Sequence, residues 1–123
     1  MLMLSAFYVG FGGFLGAILR YFSNLIFLKF TVLPLPLSTL FVNILGGFCI
    51  GFLLNLQALQ NVNLKLFLIT GLLGGFTTFS AFTNESLTLF LSQSPILAIF
   101  NIILNVLLCL IFCYIGKILA VKF

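Results

Sequence analysis

The sequence predicts an all-α integral membrane protein: a single domain spanning residues 1–123, with four transmembrane helices of which the third is broken at mid-membrane. Three observations predict it. Of 123 residues, 63% are hydrophobic and 5% charged, with a mean hydropathy of +1.41, a composition no soluble domain shows. The apolar residues fall into four runs of about the 20 residues that cross a hydrocarbon core some 30 Å thick. The third run is interrupted at its middle by GLLGGFTTFS. Four crossings consume nearly the whole chain, so any function must sit inside the hydrophobic segments.

The elements follow in order. The first helix is expected over 3–28; MLMLSAFYVGFGG has no basic leader and no small-residue cleavage site, so it reads as a helix rather than a signal peptide. Lys29, Pro34 and Pro36 end it, because proline lacks the N–H that a continuing helix needs. A second helix covers 37–57, and the polar stretch Gln57 to Asn63 forms the next loop. The third covers 64–91 and is closed by Ser92, Gln93 and Ser94. Pro95 suits the first turn of a fourth helix over 95–121.

The net charge of +4 comes from Arg20, Lys29, Lys65, Lys117 and Lys122, scattered near expected helix ends. Such residues anchor a helix to membrane lipid by snorkelling, and the pattern implies no nucleic-acid partner. An even number of crossings puts Lys65, Lys117 and Lys122 on one side against Lys29 and Arg20 on the other. So small a bias is compatible with one fixed orientation and with insertion both ways. Cys49, Cys109 and Cys113 lie in apolar stretches with no disulfide or metal spacing. Without histidine or aspartate, and with Glu85 the only acid, there is no acid/base pair, and the chain reads as no enzyme.

Several constellations remain. Gly12 and Gly16, and again Gly47 and Gly51, have the four-residue spacing that brings helix backbones together. Thr39, Asn43, Gly47 and Gly51 share one stripe of the second helix, and Asn101, Asn105 and Cys109 one of the fourth, a line roughly 12 Å long. Two aligned polar tracks suit a route for a small ion; hydrogen bonding between the two helices would give the same pattern. In the third segment Gly71, Gly74 and Gly75 precede Thr77, Thr78 and Ser80, favouring either a broken helix with free carbonyls for a hard cation such as sodium, or a kink repaired by side chains. Phe79 and Phe82 lie three apart, so their electropositive ring edges share a face, although with 17 phenylalanines apolar filling is the favoured reading of this pair taken by itself. Glu85 is either a functional acid or a neutral, hydrogen-bonded or lysine-paired carboxyl.

The stretches GFLGAILRY (13–21), STLFVNILGGFCIG (38–51) and GLLGGFTTFSAFTNE (71–85) resemble the signature segments of Fluc/CrcB fluoride channels, with the TTFS-centred motif the most specific. The resemblance implies a dual-topology antiparallel homodimer in the inner (plasma) membrane, with two pores that pass fluoride passively out of the cell. By motif position, Phe79 and Phe82 would be the pore phenylalanines, with Asn43 as their polar partner and Ser80 beside them. Thr39, Asn101 and Asn105 would extend the path, Arg20 would sit at a vestibule, and Glu85 would be available for gating or coupling. Backbone carbonyls of Gly74 and Thr77, two from each subunit, would hold a structural sodium ion at the dimer axis. Ser38 stands where the family usually has glycine and Ala81 where threonine is common. Two other classes fit a small four-helix membrane chain less well. A proton-coupled multidrug exporter places its carboxylate in the first helix, which here has none. An assembly subunit needs no broken helix or polar tracks.

Overall fold

The computed structural model describes residues 2–30, 33–92 and 94–122. All regular structure among them is helical: α1 (Leu2–Phe30), α2 (Leu37–Asn55), α3 (Val62–Lys65), a π-helical stretch (Leu66–Leu73), α4 (Gly74–Phe76), α5 (Phe79–Ser92) and α6 (Pro95–Ala120). These make four apolar spans, Leu2–Phe30, Leu37–Asn55, Val62–Ser92 and Pro95–Ala120, each long enough to cross a membrane.

The expected elements are present, with shifted ends. α1 runs past 28 to Phe30, and α2 stops at Asn55 rather than at 57. The third span begins two residues early because Asn61 caps it, its side chain accepting from the Leu64 N–H at 3.0 Å. Pro95 opens α6 as expected. Gln93, assigned to the closing turn, lies outside the described residues.

The third span departs most from a plain helix. After the single α-helical turn of α3 it becomes π-helical over Leu66–Leu73, with a wider turn than the α-helix, and the break is confined to Thr77 and Thr78. Gly74, expected within the break, is still helical, with φ −62° and ψ −37°. Thr77 leaves the helix in an extended conformation (φ −80°, ψ 157°).

Both glycine pairs lie at helix contacts. A Cβ built on Gly12 would be 2.3 Å from the Phe67 carbonyl oxygen, and one on Gly16 would be 2.1 Å from that of Leu72. α1 therefore touches the third span backbone to backbone. Gly71 and Gly75 supply the matching gaps, facing the Val9 and Gly13 carbonyls at 2.6 and 2.4 Å. α2 and α6 meet the same way, through Gly51 against Cys113 O (2.1 Å) and Gly116 against Phe48 O (2.2 Å). Gly47 is looser, at 3.1 Å from Cys109 O. In hydrocarbon, where apolar burial drives little, such close packing is what associates helices.

Candidate functional site

The site is built around the break. Thr77 N–H and Oγ1–H both donate to the Leu73 carbonyl, at 3.0 and 2.9 Å, which finishes α4. Its methyl fits over Gly46, where a Cβ would come within 2.0 Å of Thr77 Cγ2. Thr78 then caps α5, its hydroxyl accepting from the Ala81 N–H at 3.2 Å. Between those two ends the backbone needs an outside partner, because no water reaches such groups in hydrocarbon.

Asn43 supplies it. Its Oδ1 accepts from the Thr78 N–H at 2.8 Å and its Nδ2 donates to the Thr78 carbonyl at 3.2 Å, so the side-chain amide pairs with the broken backbone much as another peptide group would. Asn43 Nδ2 also reaches Asn105 Oδ1 at 3.2 Å, linking α2 to α6. The two polar tracks of the sequence thus do face each other and are hydrogen-bonded. Asn105 and Asn101 are buried, and Asn101 donates to Ser86 Oγ at 2.9 Å.

A groove of about 370 Å³ opens beside the break, lined on the polar side by Asn43, Thr78 and Asn105 and on the apolar side by Phe79 and Phe82. A second, almost wholly apolar cavity of about 470 Å³ continues between α5 and α6, and the same two phenylalanines line it. The rings therefore stand between two open volumes. Their centroids are 5.4 Å apart with planes at 57°, which turns a ring edge toward its neighbour. They are unequally held: Phe82 is buried, whereas Phe79 is 78% exposed.

Ser80 joins the groove's edge through Thr78, the two hydroxyl oxygens lying 3.2 Å apart. Arg20 is half-buried on α1 and reaches the Thr77 carbonyl at 3.5 Å, so its charge lies at the level of the break. Thr39 and Glu85 form a separate pair, Thr39 Oγ1 donating to Glu85 Oε1 at 2.7 Å. Glu85 Oε2 is buried without a hydrogen-bond partner among the described residues. Glu85 also lines a cavity of about 380 Å³ with Asn24, Ser38 and the 33–37 connection, where Ser38 is hydrogen-bonded to Asn24. This cluster lies apart from the phenylalanine groove, with no lining residue in common.

Of the two carbonyls assigned to sodium, that of Gly74 fits a hard cation on one structural ground. In an unbroken helix the Gly74 carbonyl would accept from the Thr78 N–H, which here goes to Asn43. Oxygen at a helix C-terminus carries partial negative charge, and Gly74 is exposed, with nothing within 4 Å of its built Cβ. Thr77 O accepts from the Arg20 guanidinium at 3.5 Å, so a positive charge already faces it.

Reading the sequence left out Thr78 as a cap and Ser86 as the acceptor of Asn101. The signal for Ser86 is the four-residue stripe Thr78, Phe82, Ser86, all three of which are buried, and that for Thr78 is a threonine directly before the resumed helix.

With this geometry in hand, comparison with known proteins decides the family. The family profile described as "CrcB-like protein, Camphor Resistance (CrcB)" matches residues 7–117. The chain belongs to that family. Among curated relatives, one from Campylobacter fetus subsp. fetus is 55% identical over 113 residues, covering 89% of this chain and 88% of the relative. Another, from Ruminiclostridium cellulolyticum, is 43% identical over 121 residues, 96% and 93% of the two chains. A third, from Clostridium perfringens strain 13, is 45% identical over 121 residues, 96% and 94%. Each is named a fluoride-specific ion channel FluC. The chain is accordingly a CrcB-family, multi-pass plasma-membrane protein whose relatives are named as channels, not enzymes.

Proposed function

We propose that this chain is a fluoride-selective channel that lets the ion leave the cell passively, through a path at the Asn43–Phe79–Phe82 groove. The observation that carries the reading is the ring pair standing between two cavities beside a backbone break clamped by Asn43. The names borne by relatives at 43–55% identity support it.

Fluoride is small and strongly hydrated, so a selective path has to replace its water with well-placed donors. In the Thr78–Ser80 hydroxyl pair one O–H is used between the two oxygens, and the other, without an acceptor among the described residues, is left for an anion. Asn43 lines the same groove and holds its backbone wall, its two N–H groups going to the Thr78 carbonyl and to Asn105 Oδ1. The ring edges of Phe79 and Phe82 complete the shell with C–H groups that hold little water themselves. Arg20, near the break and without a carboxylate beside it among the described residues, raises the local anion concentration. Thr39 and Glu85 form a second polar station, apart from the groove. Larger halides are excluded by narrowness.

The working form is a dual-topology antiparallel homodimer with two pores. Two features of the lone chain support a partner. Phe79 is largely exposed, and Ser80, Thr83 and Asn84 are exposed on α5 within an apolar span, where polar groups facing lipid are costly. A second copy would cover this face and complete the groove wall. Gly74 and Thr77 of both copies would offer carbonyl oxygens to a sodium ion, whose charge when bound would offset the gathered carbonyl dipoles.

Cells lacking their own fluoride export provide the test. Expression of the chain should restore growth in millimolar-range fluoride and lower cytoplasmic fluoride, and Phe82→Ile should fail to do so. Equal fluoride accumulation with and without the chain would remove the reading.

A further inference from the structure

The hydrogen bonds around the groove form one directional chain that begins and ends on the third span. Thr78 N–H donates to Asn43 Oδ1 (2.8 Å), Asn43 Nδ2 to Asn105 Oδ1 (3.2 Å), Asn105 Nδ2 to Asn101 Oδ1 (3.2 Å), Asn101 Nδ2 to Ser86 Oγ (2.9 Å), and Ser86 Oγ–H to the Phe82 carbonyl (2.8 Å). The direction propagates from its first member. A backbone N–H can only donate, so it fixes Asn43 with Oδ1 toward Thr78 and Nδ2 toward α6. Asn105 must then present its oxygen to Asn43, which turns its own Nδ2 inward, where it meets both oxygens of Asn101, Oδ1 and the backbone carbonyl at 3.1 Å. Reversing any one amide would set N–H against N–H or oxygen against oxygen.

Asn105 consequently lines the groove with its N–H groups committed elsewhere and its acceptor side engaged by Asn43. A carbonyl oxygen facing an anion repels it. We infer that Asn105 and Asn101 are not ligands of the permeating ion. They are positioning residues that orient the Asn43 amide on Thr78, and through Ser86 they tie that orientation to the helix turn bearing Phe82. The inference rests on the groove being the ion path, but the positioning itself does not require ion flow. It also fits the unequal phenylalanines: the Phe82 carbonyl is the last acceptor of the chain and Phe82 is buried, whereas no bond of the chain ends on Phe79, which is exposed.

The test uses the full-length protein, with two readouts. The first is hydrogen exchange at the Thr78 amide. Asn105→Leu should speed it by about fivefold, the worth of roughly one interhelical hydrogen bond, while amides in 110–118 of α6 keep their protection. Ser86→Ala, at the far end of the chain, should act in the same direction and more weakly. Asn105→Ser, which keeps an acceptor for Asn43, should remain close to wild type. The second readout is a double-mutant cycle on fluoride flux. Asn105→Leu should slow flux in the wild-type background yet change it by less than about twofold in an Asn43→Ser background, because both changes remove the same contact. Independent, multiplicative losses would make Asn105 a separate pore contact and overturn the inference. So would unaltered Thr78 exchange in Asn105→Leu. If the wild-type protein passes no fluoride, the proposed function fails, and the exchange readout still decides this inference by itself.

Discussion

Within one glycine pair, Gly47 and Gly51, the structure predicts opposite tolerance to the same substitution. A Cβ at Gly47 would lie 3.1 Å from the Cys109 carbonyl oxygen, a few tenths of an ångström inside ordinary contact. One at Gly51 would lie 2.1 Å from the Cys113 carbonyl oxygen, so α2 and α6 must part by about 1.3 Å to restore ordinary contact near 3.4 Å. Both obstacles are backbone and cannot turn aside. Gly51→Ala should then cost about 1–3 kcal/mol, as overpacking does, and Gly47→Ala well under 1. The damage should reach the groove as well. If half of the separation is felt at Asn43, the 3.2 Å bond from Asn43 to Asn105 lengthens to about 3.8 Å and is no longer a hydrogen bond. Thermal unfolding of the detergent-solubilised protein and fluoride flux from the same preparations would measure both effects. Gly51→Ala should lower the midpoint and the flux, with Gly47→Ala close to wild type in each. Equal behaviour of the two variants would refute the α2–α6 packing on which the groove depends.

Three further outcomes are expected. Phe79→Ile and Phe82→Ile should each reduce fluoride flux at least tenfold while leaving the oligomer intact on size-exclusion chromatography; unchanged flux would remove the ring-edge argument. The Cβ of Gly74→Ala meets nothing within 4 Å in the single chain, so this variant should leave the protomer's helix content unchanged and weaken self-association, as read by cross-linking at graded protein density. Undiminished cross-linking would place the partner elsewhere. Glu85→Gln keeps a group that can accept from Thr39, so passive flux should stay within about twofold and remain indifferent to a pH gradient. A gradient-dependent wild-type rate that this variant abolishes would point to coupled transport.

Much of the fold is legible in the sequence because membrane helices announce themselves locally: apolar run length, the prolines at 34, 36 and 95, and the glycine spacings of α1 and α2 all act within a few residues. The third span shows where local signals stop. Its glycines draw attention to Gly71–Gly75, yet those residues stay helical, Gly71 and Gly75 serving close approach to α1, and the chain breaks at Thr77 and Thr78, where Asn43, on another helix, takes over the Thr78 backbone groups. A partner 35 residues away leaves no mark on the local pattern. The asparagine tracks were visible as stripes, but the direction of their hydrogen bonds follows only from three helices meeting. Glu85 was singled out as the sole acid; that Thr39 holds it, with no lysine paired to it among the described residues, is again tertiary information.

The most direct test of the account is fluoride efflux from liposomes containing the purified protein, followed with a fluoride electrode, against chloride efflux from the same preparation and with no proton gradient. The account predicts rapid fluoride release with negligible chloride release, and the loss of that release in Phe82→Ile. Folded, reconstituted protein that releases no fluoride, or releases chloride equally well, would contradict it.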